Sequence, residues 1–164
     1  MPLDPHKVRR VANRVLVSAI AGMALYGYAR FSIVDYPRGC DAMAPTLSTA
    51  GSRLVIDRYP DHARPMRHLD VIVYDHPGLR ARLVGRVRAM PGDEIALAAG
   101  KLAIAGASTE RTPGAIPLGS VPSGTYVVLN ENPDSTYPDS RVHGLIPAAR
   151  IAGRMIASLP GSGQ

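Results

Sequence analysis

The sequence predicts an all-β domain, a twisted sheet or partly open barrel, carried on one N-terminal transmembrane helix. Three observations predict it. Gly and Pro together number 31 of 164 residues, which favours turns and short strands over a helix bundle. Short Val- and Ile-rich runs alternate with turn residues through the C-terminal four-fifths of the chain. Before them, Val15 to Ala29 carries no charge and follows a basic leader.

The elements follow in order. Residues 1–14 hold Lys7, Arg9, Arg10 and Arg14 against Asp4. The uncharged run is 15 residues, about 22 Å as helix, short of the ~30 Å hydrocarbon core. "RFSIV" extends it to Val34, so the expected anchor is 15–34, with Arg30 near one end and snorkelling to headgroups. The positive-inside rule puts residues 1–14 in the cytoplasm, or in the matrix of a mitochondrial inner membrane, and residues 35–164 on the trans side. A cleaved signal peptide and a surface amphipathic helix are the two other readings of the same run.

Seven strands are expected in the domain 35–164. They are 52–59, 69–76, 81–90, 93–99, 101–106, 124–130 and 150–159. Gly100 makes 93–106 a hairpin. Residues 112–124 and 130–140 are loops dense in Pro, Gly, Asn, Asp and Ser.

Charge narrows the function. Residues 1–30 carry +4 of the total +6, a pattern for a membrane surface rather than nucleic acid. Cys40 is the single cysteine, so no intrachain disulfide forms. The five histidines show no metal-ligand spacing, and neither metal nor cofactor is expected.

Three motifs remain. "CDAMAPTLS" spans 40–48, "GRVRAMPGDEI" spans 85–95 and "NENPDSTYPDSRVHGLIP" spans 130–147. Pro45 stiffens the first. Met43 there offers an apolar surface to lipid or substrate, or packs the loop with Leu47. Pro91-Gly92-Asp93 reads as a turn, with Gly92 suited to positive φ. Asp139-Ser140-Arg141 reads as a loop knitted by hydrogen bonds and a charge pair.

In that order, behind an apolar anchor, the motifs resemble those of type I signal peptidases. The family's patterns are S-M-x-P-T-L, K-R-V-x-G-x-P-G-D and G-D-N…D-S-R…G-x-(V/I)-P. The resemblance covers 15–154 and implies an all-β signal-peptidase-like domain. It implies a Ser–Lys dyad, in which a desolvated neutral lysine takes the serine's proton. It also implies that Asp139, Ser140 and Arg141 support the centre, and that Pro45, Thr46, Arg86, Pro91, Gly92 and Asp93 belong to the surrounding structural motifs. At the two matching positions this chain has Ala42 and Gly85. Of its two lysines, Lys7 precedes the anchor and Lys101 lies in the hairpin. Thr46 and Ser48 are too far along the chain to replace the nucleophile, and His76 and His143 are bases without one.

The resemblance further implies that an extended peptide adds as a strand between 34–41 and 80–84, touching Cys40, Asp41, Met43, Leu83 and Val84. Such docking needs backbone hydrogen bonds and small pockets, not a dyad. The backbone N–H at residue 42 still serves an oxyanion hole. The expected protein is a membrane-anchored, inactive relative. Its expected partners are membrane lipid, an extended or exported client, and an active signal peptidase. The alternative is an active signal peptidase I-type serine endopeptidase that removes signal peptides from exported precursors.

Overall fold

A computed structural model of the chain describes residues 5–47, 51–58, 65–78, 80–104, 107–109 and 111–160. Helix α1 (Pro5–Arg30) opens on a proline, whose missing N–H costs nothing in a first turn. Its 26 residues make about 39 Å of helix, more than a hydrocarbon core needs. From His6 to Arg30 it is long and apolar enough to cross a membrane, and its apolar window is not buried against the rest of the chain. It fits a membrane anchor.

The helix departs from the expected anchor at both ends. It starts ten residues before Val15, because the basic leader is helical too. It stops at Arg30, and Phe31–Tyr36 forms strand β1. The β-branched and aromatic residues of "FSIV" suit either state, and pairing decides. β1 runs antiparallel to β2 (Ser52–Asp57), from Phe31 opposite Asp57 to Tyr36 opposite Ser52. Arg30 turns toward β2. Its guanidinium meets Asp57 at 2.6 Å, and its carbonyl accepts the Arg58 N–H at 2.9 Å.

All seven expected strands form. They are β2, β3 (Val71–Asp75), β4 (Arg82–Ala89), β5 (Glu94–Ala98), β6 (Lys101–Ile104), β9 (Thr125–Leu129) and β11 (Ile151–Pro160). Residues 59, 105 and 106, also expected in strands, lie outside the described residues. The sequence missed β1 and the two-residue strands β7 (Ala107–Ser108), β8 (Gly119–Ser120) and β10 (Ile146–Pro147). It also missed α2 (Ser140–His143), a single helical turn.

Two sheets result. The larger orders its strands β1-β2-β11-β3-β4-β9-β10 and curls into a half-barrel; the smaller orders them β7-β6-β5-β8. Every pairing is antiparallel. The hairpin of β5 and β6 closes through Ala99 and Gly100, both at positive φ, matching the strand twist. β3 is buried on both faces, which explains its unbroken apolar run. Val71 and Val73 pack on one face with Leu54, Ile56 and Val84; Ile72 and Tyr74 pack on the other with Val87, Val128 and Ile146.

Candidate functional site

The loop after β1 carries the first motif. Gly39 turns the chain at φ +80°, and Cys40, Ala42, Met43 and Leu47 enter the core cluster of Leu54, Ile56, Val71 and Val73. Met43 is wholly buried, so it is packing and offers no surface to lipid or substrate. The Met43 N–H donates to the Tyr36 hydroxyl at 3.1 Å. The Ala44–Pro45 peptide is cis.

The third motif holds this loop from the other side. The Ala42 carbonyl accepts N–H bonds from Glu131 at 2.8 Å and Asn132 at 3.1 Å. Asp41 accepts from the Ser135 hydroxyl at 2.6 Å and the Asn132 amide at 3.2 Å. Asp41 is thus a loop staple. Cys40 is buried between Tyr36 and Tyr137. Burial, then the neighbouring Cys40, pushes the Tyr36 phenol up, and Cys40 with burial raises Tyr137.

Tyr36, Cys40, Ala42, Leu83, Val84 and Tyr137 line a crevice of about 30 Å³, room for roughly one water or methyl group. Of the five expected peptide contacts, Cys40, Leu83 and Val84 line it, while Asp41 and Met43 do not. Two strand edges flank it. β1 ends the larger sheet. β9 pairs with β4 only from Arg86 onward, leaving that edge of 82–85 without β9.

Gly85 lies in β4 opposite Ile72. A Cβ there would come within 2.6 Å of Val128 Cγ1 and 3.6 Å of the Tyr74 ring. Both belong to the cluster on the other face from Ala42 and Val84. Tyr74 is fully buried and its hydroxyl has no partner among the described residues. Burial, then the charge of Asp139, pushes this phenol up, so it stays protonated and is no base at neutral pH.

The remaining motif residues knit the loops together. Arg86 reaches the Leu69 carbonyl at 2.8 Å, Thr46 Oγ1 at 3.2 Å and Glu131 at 2.5 Å. Burial alone would raise the Glu131 carboxyl, but Arg86 and Thr46 hold it below its ordinary value. After Pro91, Gly92 takes φ +91° and Asp93 accepts the Met90 N–H at 2.7 Å and bonds His68 at 2.6 Å. Asp139 caps α2 and accepts the Asn130 and Arg141 N–H groups at 3.0 and 2.9 Å. Ser140 Oγ accepts the Val128 N–H at 2.9 Å.

His76 and His143 meet edge to face, ring centroids 4.5 Å apart, outside the crevice lining. Ser48 lies outside the described residues. Arg111 was missed: it is buried and donates to the Glu131 carbonyl at 2.7 Å. No motif marked it. Tyr36, Asn130 and Tyr137 were missed as lining residues, although two of them stand within the third motif. Among the described residues that line this crevice there is neither a serine nor a lysine.

A family model described as "Signal peptidase, peptidase S26" matches residues 11–159. The chain is 28% identical over 130 residues to "Signal peptidase I" of Leptolyngbya laminosa, covering 71% of this chain and 63% of that one. It is 27% identical over 125 residues to "Probable signal peptidase I-2" of Synechocystis sp., covering 69% and 56%. The chain thus spans less than two thirds of the length of these curated relatives. Among solved structures, a signal peptidase I from Enterococcus faecalis is similar at 22% identity and a TM-score of 0.45, over 54% of this chain and 95% of that one.

Proposed function

Because the chain belongs to the signal peptidase family, peptidase S26, we propose that it is a catalytically inactive member that docks extended segments of translocated proteins at the membrane surface. The observation that carries this reading is the filled space beside Gly85. Where the family resemblance implies a lysine, a Cβ already collides with Val128 and lies against Tyr74. At the position implied for serine, Ala42 supplies only a methyl group and is buried. The edges of β1 and of 82–85 in β4 support strand addition, because they keep backbone donors and acceptors beside the crevice. The basic leader supports an anchor with the leader in the cytoplasm, or in the matrix of a mitochondrial inner membrane, and the β-domain on the trans side. The client is an exported chain in extended form, and an active signal peptidase is the partner that would consume it.

The test pairs cleavage with binding. Full-length protein in liposomes is incubated with a signal-peptide-bearing precursor, and a photoreactive extended peptide with small residues at alternate positions is titrated in parallel. No cleavage is expected, together with micromolar or weaker binding that crosslinks to 34–41 and 80–84. Robust cleavage abolished by a substitution in this chain would establish the active peptidase instead. A saturated titration without crosslinks in those segments removes the docking role.

A further inference from the structure

We propose that the crevice between the end of α1 and the outer face of β1 and β2 is a binding site for one anionic phospholipid. The proposal rests on reading α1 as a membrane span, and it places the lipid at the trans end of that span. The crevice has a volume of about 520 Å³ and is lined by Tyr28, Phe31, Ser32, Ile33, Val55 and Arg58. Its walls are apolar where they adjoin the helix. Ile33 is 63% exposed and Phe31 is 39% exposed, a cost in water that lipid removes.

Three features choose the occupant. First, α1 runs into β1 without an intervening residue, and the junction is held by the Arg30–Asp57 pair and the Arg58 N–H bond to the Arg30 carbonyl. The crevice therefore begins where the helix leaves the bilayer. Second, the polarity of the outer face changes along the strands. Ile33 lies opposite Val55, which lies opposite Ala157; two residues on, Asp35 faces Arg53 and the two side chains form an exposed ion pair. The apolar zone thus runs about 7 Å along the strand, from Phe31 to Ile33, before the Asp35–Arg53 pair, the scale of the headgroup and upper acyl region. Third, the two arginines at the junction differ. Arg30 is neutralised by Asp57, whereas Arg58 is exposed and pairs with no carboxylate among the described residues. One cation at the rim of an apolar slot complements a lipid with net negative charge. The phosphodiester would sit on Arg58, and an acyl chain would lie along Phe31, Ile33 and Val55. A soluble phosphate would satisfy the cation but not the apolar walls.

The chain has no tryptophan, so Phe31→Trp creates a single reporter in the crevice. The full chain would be reconstituted into vesicles containing phosphatidylglycerol or phosphatidylcholine brominated on the acyl chain. Leu97→Trp, in the hairpin of the smaller sheet, serves as the comparison. We expect at least twofold stronger quenching of the Phe31→Trp reporter than of the Leu97→Trp reporter, and stronger quenching by the anionic lipid. Adding Arg58→Gln should reduce the preference for the anionic lipid about fivefold, and soluble glycerophosphate should not displace the lipid. Ile33→Trp repeats the measurement if Phe31→Trp fails to fold. Protein that floats with vesicles but leaves both crevice reporters unquenched overturns the lipid site while sparing the anchor. Protein that does not float overturns the anchor itself. An anionic preference unchanged by Arg58→Gln overturns the phosphate contact. Reporters shielded instead in proportion to protein density, with energy transfer between copies, assign the crevice to a second copy of the chain.

Discussion

At position 85 the space for a side chain is already taken. Gly85→Ala should destabilise the protein by about 1–3 kcal/mol, since the methyl must displace Val128 in a packed strand pair. In a Val128→Ala background the same change should cost less, and urea titrations of the four variants give the coupling. Ala42→Ser with Gly85→Lys should stay inactive for the same reason. A lysine there needs room made at Val128 and Tyr74 before it can approach residue 42. Glycine at 85 and alanine at 42 were legible in the motifs, but the packing around them was not. The burial of Met43 and the stapling of Asp41 depend on Tyr36, Glu131, Asn132 and Ser135, and three of those partners stand about ninety residues away. A second expectation at this scale concerns pH. Burial, then the neighbouring His76, holds the His143 imidazole below its ordinary 6.5, and Asp139 opposes them only in part. The unfolded chain then takes up a proton that the folded one refuses. Stability should be full above pH 6.5 and fall as pH drops below it. The carboxyls of Asp93 and Glu131 are lowered from 3.8 and 4.5, so their contributions persist until pH falls further, through their folded values. Thermal melts between pH 7.5 and 5 should show the decline, and His143→Gln should flatten it.

Among the elements, the single turn α2 shows how little length a structural device needs. Asp139 is almost completely buried and takes N–H bonds from Asn130 and Arg141, tying the end of β9 to the turn. Asp139→Ala should cost on the order of 3 kcal/mol, because buried donors lose a charged acceptor. Asp139→Asn keeps one acceptor oxygen and should cost less. Chemical denaturation with circular dichroism measures both. The long strands were legible because each carries a local Val/Ile run bounded by turn residues. The two-residue strands were not, since so short a segment has no periodicity to read. β1 was missed for a different reason. Its residues continue the apolar run of the helix without a break, and the boundary at Arg30 is set by Asp57, 27 residues on. No local signal marks that partner.

For the whole molecule, the half-barrel and the helix that could carry it were both legible, because composition and patterning report architecture. The side of the membrane is a matter for experiment, and Cys40 is a poor reporter of it, being only 5% exposed. Ala98→Cys in a Cys40→Ser background puts a thiol on the exposed hairpin of the smaller sheet. An impermeant reagent should label it from the trans face of sealed vesicles; labelling only from the cytoplasmic face would reverse the proposed topology. The junction at Arg30 has a further consequence. With no linker between helix and strand, the crevice at Tyr36 stands six residues of strand beyond the end of the helix, at most about 20 Å. A domain on a flexible stalk samples many heights; this one is held at one. On the proposed function it would act as a gauge. A client still held in the bilayer would reach the crevice only when the stretch between its own exit point and its docking residues is long enough to climb to that height, and one with a shorter stretch would be passed over whatever its side chains.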